Sequence, residues 1–331
     1  MGNLCYPRCM SALLGIHSLS KSFGTQVLFK DLTFTISQGD RIGLIGPNGS
    51  GKSTLLKIIA EEESPDDGYI SRRRGLRVGY ASQVPDFPSL PLEEVLIKGA
   101  VGGDSIDART RAGILLGKAQ FEDFSQIATT LSGGWKKRLD IVKALMCEPD
   151  ILILDEPTNH LDLEGIEWLE KFLIKEKISY LVVSHDRYFL DKITNKVIEI
   201  NRCFPEGLLQ GEGTLSDYMT HKDAFLAAQA QQERGLASTV RNEVEWLRKS
   251  PKARTTKSVS RIQRAYAMLD ELSDLQSRNT FQTVSIDFSA SERATRKLIV
   301  GKNLGKTLGG KELFKGVDVT LSPGTRLGIV G

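Results

Sequence analysis

Apolar and polar positions change rhythm three times along the chain. They alternate through VLFKDLTFTI (27–36) and RIGLIG (41–46), which predicts β-strands with one buried face. ILILDE (151–156) and YLVVSHD (180–186) open instead with apolar runs, as strands of a parallel sheet do when both faces are buried. Between them, STLLKIIAEE (53–62) and LEGIEWLEKFLIKEK (163–177) read as helices, so strand and helix alternate in the manner of an α/β domain ending near residue 203. From about Ser216 to Arg278 strand formers become scarce. Leu236, Val240, Val244 and Leu247, then Val259, Ile262, Tyr266, Leu269 and Leu272, recur three or four residues apart on either side of SPKARTTKS (250–258). This predicts a helical hairpin with a basic turn, each 30-residue arm reaching about 45 Å.

The opening pattern occurs twice. Shifting the chain by 285 residues places residues 12–46 on 297–331 without a gap, with 13 identities that include Lys21/Lys306, Phe29/Phe314, Gly39/Gly324 and Gly46/Gly331. The apolar alternation and the turn glycines repeat together, which marks a true internal repeat. The second copy stops at its counterpart of Gly46, so the expectation is a tandem protein cut at the first glycine of its second site, with residues 297–331 short of sheet partners and either mobile or wrongly packed.

Composition changes this picture little. The 331 residues are 40% hydrophobic and 26% charged, with a net charge of +3, as in ordinary soluble proteins. No apolar run approaches the roughly 18 to 20 residues of a membrane-spanning helix. The N-terminus MGNLCYPRCMSALLG interrupts its apolar patch with Pro7 and Arg8, unlike a signal peptide, which points to a cytoplasmic protein with Met10 a candidate start. Tyr6 stands where a myristoylation motif wants Ser or Thr. Cys5, Cys9, Cys147 and Cys203 lack the paired spacing of a zinc site and read as reduced thiols.

Charge distribution is more informative than the total. Arg241, Arg248, Lys249, Lys252, Arg254, Lys257, Arg261 and Arg264 face only Glu243 and Glu245 over the same stretch. A basic tip on a long hairpin suits a phosphate backbone, with Lys249, Lys252, Arg254 and Lys257 at its turn, although a solvated helix pair carries such charge too.

The chemistry begins at Gly46. Gly46, Pro47, Asn48, Gly49, Ser50, Gly51, Lys52 and Ser53, followed by Thr54, fit G-x-x-x-x-G-K-[ST] between a strand and a helix pattern. In such a loop the backbone N–H groups and the helix N-terminus face phosphate oxygens, Lys52 reaches the β- and γ-phosphates, and Ser53 binds Mg²⁺. Asp155 and Glu156 close an apolar strand, where the Asp suits Mg²⁺ and the Glu an attacking water. Gln83 in YASQ and His185 in VVSHD would be bland alone. In this order, with LSGGWKKR at 131–138 ahead of the acidic strand, the set resembles the ATP-binding cassette ATPases over residues 11–203.

The resemblance implies an α/β P-loop cassette domain, a mixed sheet with a helical subdomain, binding ATP and Mg²⁺ and hydrolysing ATP. It implies Phe23 as the adenine-stacking aromatic, Gln83 as metal and water sensor, Glu156 as the water-activating group and His185 as the γ-phosphate switch. Ser53, Gln83 and Asp155 would serve the metal. Ser132, Gly133 and Gly134 would contact ATP held by another cassette, and TNHLD (Thr158–Asp162) would signal across that dimer. SHDRYFLD (184–191), LSGGWKKR and WLRKSPKARTTKSVSRI further resemble the soluble tandem ABC-F proteins that act at the ribosome, the Uup group most closely. The implied organisation is an N-terminal extension (1–10), a first cassette (11–203), a linker with the basic hairpin (204–290) and the start of a second cassette (291–331), whose partner is that second cassette or another copy. Only 48 residues separate Gln83 from Ser132, too few for the arm some ABC-F proteins insert there, and Leu308 stands where the first copy has Phe23.

Rival readings keep the same site. A transporter subunit would usually carry Gln where Trp135 stands and would lack the repeat and hairpin. A chromosome or repair ATPase would place a long coiled coil between Lys52 and Ser132, which lie 80 positions apart, so only DNA binding by the linker survives from that reading. A binding-only module does not need both Glu156 and His185.

Overall fold

The computed structural model describes residues 11–100, 105–176, 178–248, 259–280, 299–308, 311–322, 325, 327 and 328. Two compact units share the chain, Met1–Thr283 and Val284–Gly331. The first contains β1 (Ala12–Phe23), β2 (Gln26–Ser37), β3 (Arg41–Ile45), α1 (Lys52–Ile59), β4 (Asp67–Arg72), β5 (Val78–Ala81), α2 (Leu92–Lys98), α3 (Ile106–Lys118), α4 (Gly133–Ala144), β6 (Ile151–Asp155), α5 (Leu163–Lys175), β7 (Ser179–Val183), α6 (Arg187–Ile193), β8 (Lys196–Ile200), β9 (Leu208–Glu212), α7 (Leu215–Arg248) and α8 (Val259–Thr280). The second contains β10 (Ile299–Leu308) and β11 (Lys311–Leu321).

A six-stranded sheet in the order β5-β6-β7-β3-β8-β9 organises the first unit. Its strands are parallel except β9, which runs antiparallel to β8 and carries the sheet past residue 203. The apolar runs of β6 and β7 are buried on both faces, as their composition predicts. Ile151, Ile153, Leu181 and Val183 point to a core shared with α1 and the small antiparallel sheet β2-β1-β4. Leu152, Leu154, Tyr180 and Val182 point to the opposite core, built with α2 to α6. The parallel strands therefore end together beneath the loops that follow β3, β5, β6 and β7, the usual place for a ligand in an α/β sheet.

Helices α7 and α8 form the expected hairpin, but the stripe on α8 is displaced. Ala265 and Leu275 are buried, whereas Tyr266 and Leu269, expected inside, are 63% and 36% exposed. The more buried face follows the 3-4-3 spacing of Ala265, Met268, Leu272 and Leu275.

The second unit repeats the first locally. Leu14 pairs with Ile36, Leu19 with Leu32 and Lys21 with Phe29; Ile299 pairs with Leu321, Leu304 with Val317 and Lys306 with Phe314, each 285 positions on. Even the left-handed residue is shared, with φ of 45° at Ser18 and 47° at Asn303, whose backbone N–H groups donate to Thr33 Oγ1 and Asp318 Oδ1. Strand pairing in residues 299–321 is thus that of the first copy. Burial differs: Leu14, Leu19 and Phe29 are at most 3% exposed, while Ile299, Leu304 and Phe314 are 45% to 59% exposed.

Candidate nucleotide site

The loop between β3 and α1 is shaped by its glycines. At Gly51 φ is +86°, and a Cβ would sit 2.9 Å from Leu28 Cβ and Phe29 Cδ1, so both conformation and space exclude a side chain. Lys52 Nζ donates to Gly46 O at 2.9 Å and Pro47 O at 3.0 Å, and burial lowers its pKa against the opposing pull of Glu156 and Asp155. The Ser50 hydroxyl is buried without a hydrogen-bond partner. A cation and a spare donor in a loop of N–H groups fit a polyphosphate.

Asp155 and Glu156 leave the end of β6 in different directions. Asp155 is 1% exposed, and Ser53 Oγ donates to its Oδ1 at 3.2 Å. Burial raises the Asp155 pKa despite that hydrogen bond and the nearby Lys137, Lys57 and Lys52. No cluster of three or more His, Cys, Asp or Glu capable of holding a metal occurs among the described residues. The Ser53–Asp155 pair is therefore a partial donor set of hard oxygens, and it fits Mg²⁺ if phosphate oxygens and water complete the shell.

Glu156 takes φ of +45°, a strained conformation for a non-glycine residue, anchored by its N–H donating to Val183 O at 2.9 Å. Its Oε1 lies 3.3 Å from His185 Nε2, and its Oε2 accepts the His185 N–H at 3.3 Å. Thr158 Oγ1 and Ser184 Oγ, 3.0 Å apart, tie the two loops again. A cleft of about 490 Å³ joins these parts, lined by Phe23, residues of the phosphate loop, Gln83, Glu156 and His185. Phe23 is 54% exposed at its edge, with the Lys21 ammonium 5.4 Å from its ring centroid.

Ser132, Gly133 and Gly134 do not line that cleft. They open α4, where the Ser132 side chain makes no cap hydrogen bond, and they lie against the loop after Glu156. A Cβ on Gly134 would approach His160 O to 2.8 Å, so a small residue is needed for this contact alone. Trp135 is anchored within the helical layer, its ring 4.9 Å from Phe121 and 4.7 Å from the Arg138 guanidinium, which Trp168 covers from 4.9 Å. Lys249, Lys252, Arg254 and Lys257 lie outside the described residues.

Residues 29–159 match the family described as ABC transporter. This region is an ATP-binding cassette ATPase domain. Among relatives of the cassette chain, the uncharacterized ABC transporter ATP-binding protein YfmR of Bacillus subtilis is 33% identical over 97% of this chain and 56% of its own length. The energy-dependent translational throttle protein EttA of Haemophilus influenzae is 29% identical over 92% of this chain and 60% of its own. The chain thus spans somewhat more than half the length of these relatives. The solved ATP-binding subunit of an ABC transporter has the same fold, with a TM-score of 0.56 and 28% identity over 64% of this chain and 93% of the other. A dimeric cassette solved with ADP and Pi superposes with a TM-score of 0.51 at 24% identity, covering 60% and 98%.

Two charged residues at the site escape a motif-based reading. Lys137 and Asp140 on α4 are buried against the backbone around Gln83 and Asp155. Lys137 lies within LSGGWKKR, but the motif gives it no role, and Asp140 shows only as an acid among the aliphatic core positions Leu139, Ile141 and Val142.

Proposed function

We propose that this chain is a cytoplasmic ATPase of the ABC-F type, nearest to the Uup group, in which ATP binding and hydrolysis govern attachment to the ribosome or a related nucleic acid. The observation that carries the hydrolytic part is the Glu156–His185 pair in one cleft with Lys52 and Ser53, whose hydroxyl is bonded to the buried Asp155. Phe23 stacks the adenine, and the phosphate loop with Lys52 holds the β- and γ-phosphates. Ser53 and Asp155, with Gln83, would hold Mg²⁺, which would supply neutralisation of phosphate charge. Glu156 takes a proton from the attacking water, whose oxygen forms the new bond to the γ-phosphorus. The bond to the β–γ bridging oxygen breaks, and ADP leaves with that electron pair. His185 holds Glu156 in position and donates to the γ-phosphate.

The nucleic-acid part is supported by the basic stretch Arg241–Arg264, by the translational name of the EttA relatives and by Trp135 in place of the transporter glutamine. No described helix is long and apolar enough to cross a membrane. Co-sedimentation with ribosomes tests this reading. The Glu156→Gln chain with ATP should pellet with ribosomes, and replacing Lys249, Lys252, Arg254 and Lys257 with Gln should weaken binding and flatten its salt dependence. An identical salt slope in both proteins makes the hairpin a solvated helix pair without a nucleic-acid role, and recovery in a membrane fraction instead favours a transporter subunit.

A further inference from the structure

Helix α4 carries two buried charges that the scheme for hydrolysis leaves unused. Lys137 is 1% exposed and Asp140 6%, although the neighbouring inward positions, Leu139, Ile141 and Val142, are aliphatic. Burying an ammonium is costly unless its hydrogen bonds are restored. Here they are restored by backbone: Lys137 Nζ donates to Ser82 O at 2.6 Å and Asp155 O at 2.8 Å, with Gln83 O at 3.4 Å. Asp140, one turn on, accepts from Ser82 N at 2.8 Å and from Ser82 Oγ at 3.3 Å.

These carbonyls lie where the sheet runs out. The β5–β6 ladder ends at Ala81 and Leu154, so the next residues, Ser82 and Asp155, have no ladder partner between them. Lys137 bridges the two strand ends in its place, and Asp140 fixes the amide side of the same loop. A single helix face thereby holds the loop of Gln83 and the backbone of Asp155 at once. The same helix begins at Gly133, and its first turn rests on His160 in the loop that follows Glu156.

We propose that Lys137, seconded by Asp140, is a positioning residue that sets Gln83 and Asp155 relative to α4, so that the metal side of the nucleotide site is fixed by the helix carrying Ser132–Gly134. This rests on the ATPase reading of the cleft. Lys137 touches neither the phosphate loop nor Phe23, so nucleotide binding without metal is outside its reach. A displacement of α4 would instead reach Asp155 directly and Gln83 through the adjoining Ser82, by the two short hydrogen bonds to Asp155 O and Ser82 O.

The test uses Lys137→Met, which removes the donor, and Lys137→Gln, which keeps a shorter one. ATP affinity in EDTA should stay within about twofold of the parent in both. The affinity of the ATP-loaded protein for Mn²⁺, read by electron paramagnetic resonance, should fall about tenfold in Lys137→Met and less in Lys137→Gln. The Mg²⁺ concentration for half-maximal turnover should rise in the same order. A folded Lys137→Met that binds ATP and Mn²⁺ as the parent does would overturn the inference, even with a lowered melting temperature, because the residue would then be structural only. Should Lys137→Met fail to fold, Lys137→Gln decides by the same measure, unchanged Mn²⁺ affinity refuting the proposal. If the parent does not turn ATP over even at protein concentrations high enough for two copies to pair, the ATPase reading fails while the Mn²⁺ measurement still judges the role of Lys137.

Discussion

At the scale of residues, the site separates binding from turnover. Lys52 is the side-chain cation of the phosphate loop and rests on Gly46 O and Pro47 O, ready to exchange carbonyls for phosphate oxygens. Lys52→Ala should weaken ATP binding at least about tenfold, or about 1.4 kcal/mol, by titration calorimetry; unchanged affinity removes the phosphate-site assignment. Glu156 is 5% exposed and already bonded to His185, so Glu156→Gln keeps the shape and loses the base. ATP should remain bound while single-turnover hydrolysis slows by about 10² or more, and a parent-like rate would assign the water to another group. The phosphate loop, the Asp–Glu pair and His185 were legible as candidates because they follow strand patterns, and Gln83 only through the order it shares with them and with LSGGWKKR. Lys137 was not, because its partners lie 54 and 55 positions back and 18 ahead and only the fold brings them to one ammonium.

At the scale of elements, the root of the linker helix is built into the cassette. Glu199, the β8 residue paired with Ile45 of β3, accepts from Lys222 Nζ at 2.7 and 2.8 Å and from Tyr218 Oη at 3.0 Å, both on the first turns of α7. Burial and the Glu199 carboxylate push the Tyr218 pKa up, which keeps its hydroxyl a donor. Asp191 of α6 accepts the Ser216 N–H at 2.7 Å, so α7 is held from two sides. Glu199→Ala should destabilise the protein by up to about 3 kcal/mol, since it leaves a mostly buried ammonium and a buried hydroxyl without partners, whereas Glu199→Met with Lys222→Met should cost much less. Equal losses in urea unfolding would mean that packing, not the pair, holds the helix. Periodicity located α7, β2 and β3 because their patterns repeat regularly, whereas β1 is broken by several register shifts against β2. The short strands β4, β5 and β9 carry too few residues for a period to show, and they pair through partners remote in sequence.

At the scale of the molecule, the phosphate loop and the Ser132–Gly134 end of α4 serve different places. The cleft holding Lys52, Glu156 and His185 is lined without Ser132, whose hydroxyl makes no cap hydrogen bond at an exposed helix start. A nucleotide bound at Lys52 therefore receives no α4 N-terminus from its own domain; if hydrolysis also uses that group, as the resemblance to the cassette ATPases implies, a second cassette or a second copy must supply it. Two copies of this chain would form an isologous pair with two composite sites. Activity per chain should then rise with protein concentration. Lys52→Ala and Ser132→Arg chains, each inactive alone, should recover activity when mixed, because in a mixed pair both lesions fall on one composite site and the other is intact. Random pairing at equal amounts makes half the pairs mixed with one of two sites working, so the recovered rate should approach about a quarter of the parent rate per chain. The absence of recovery at any mixing ratio, together with a parent activity independent of concentration, would show that one cassette completes its own site and that Ser132 has no role across an interface.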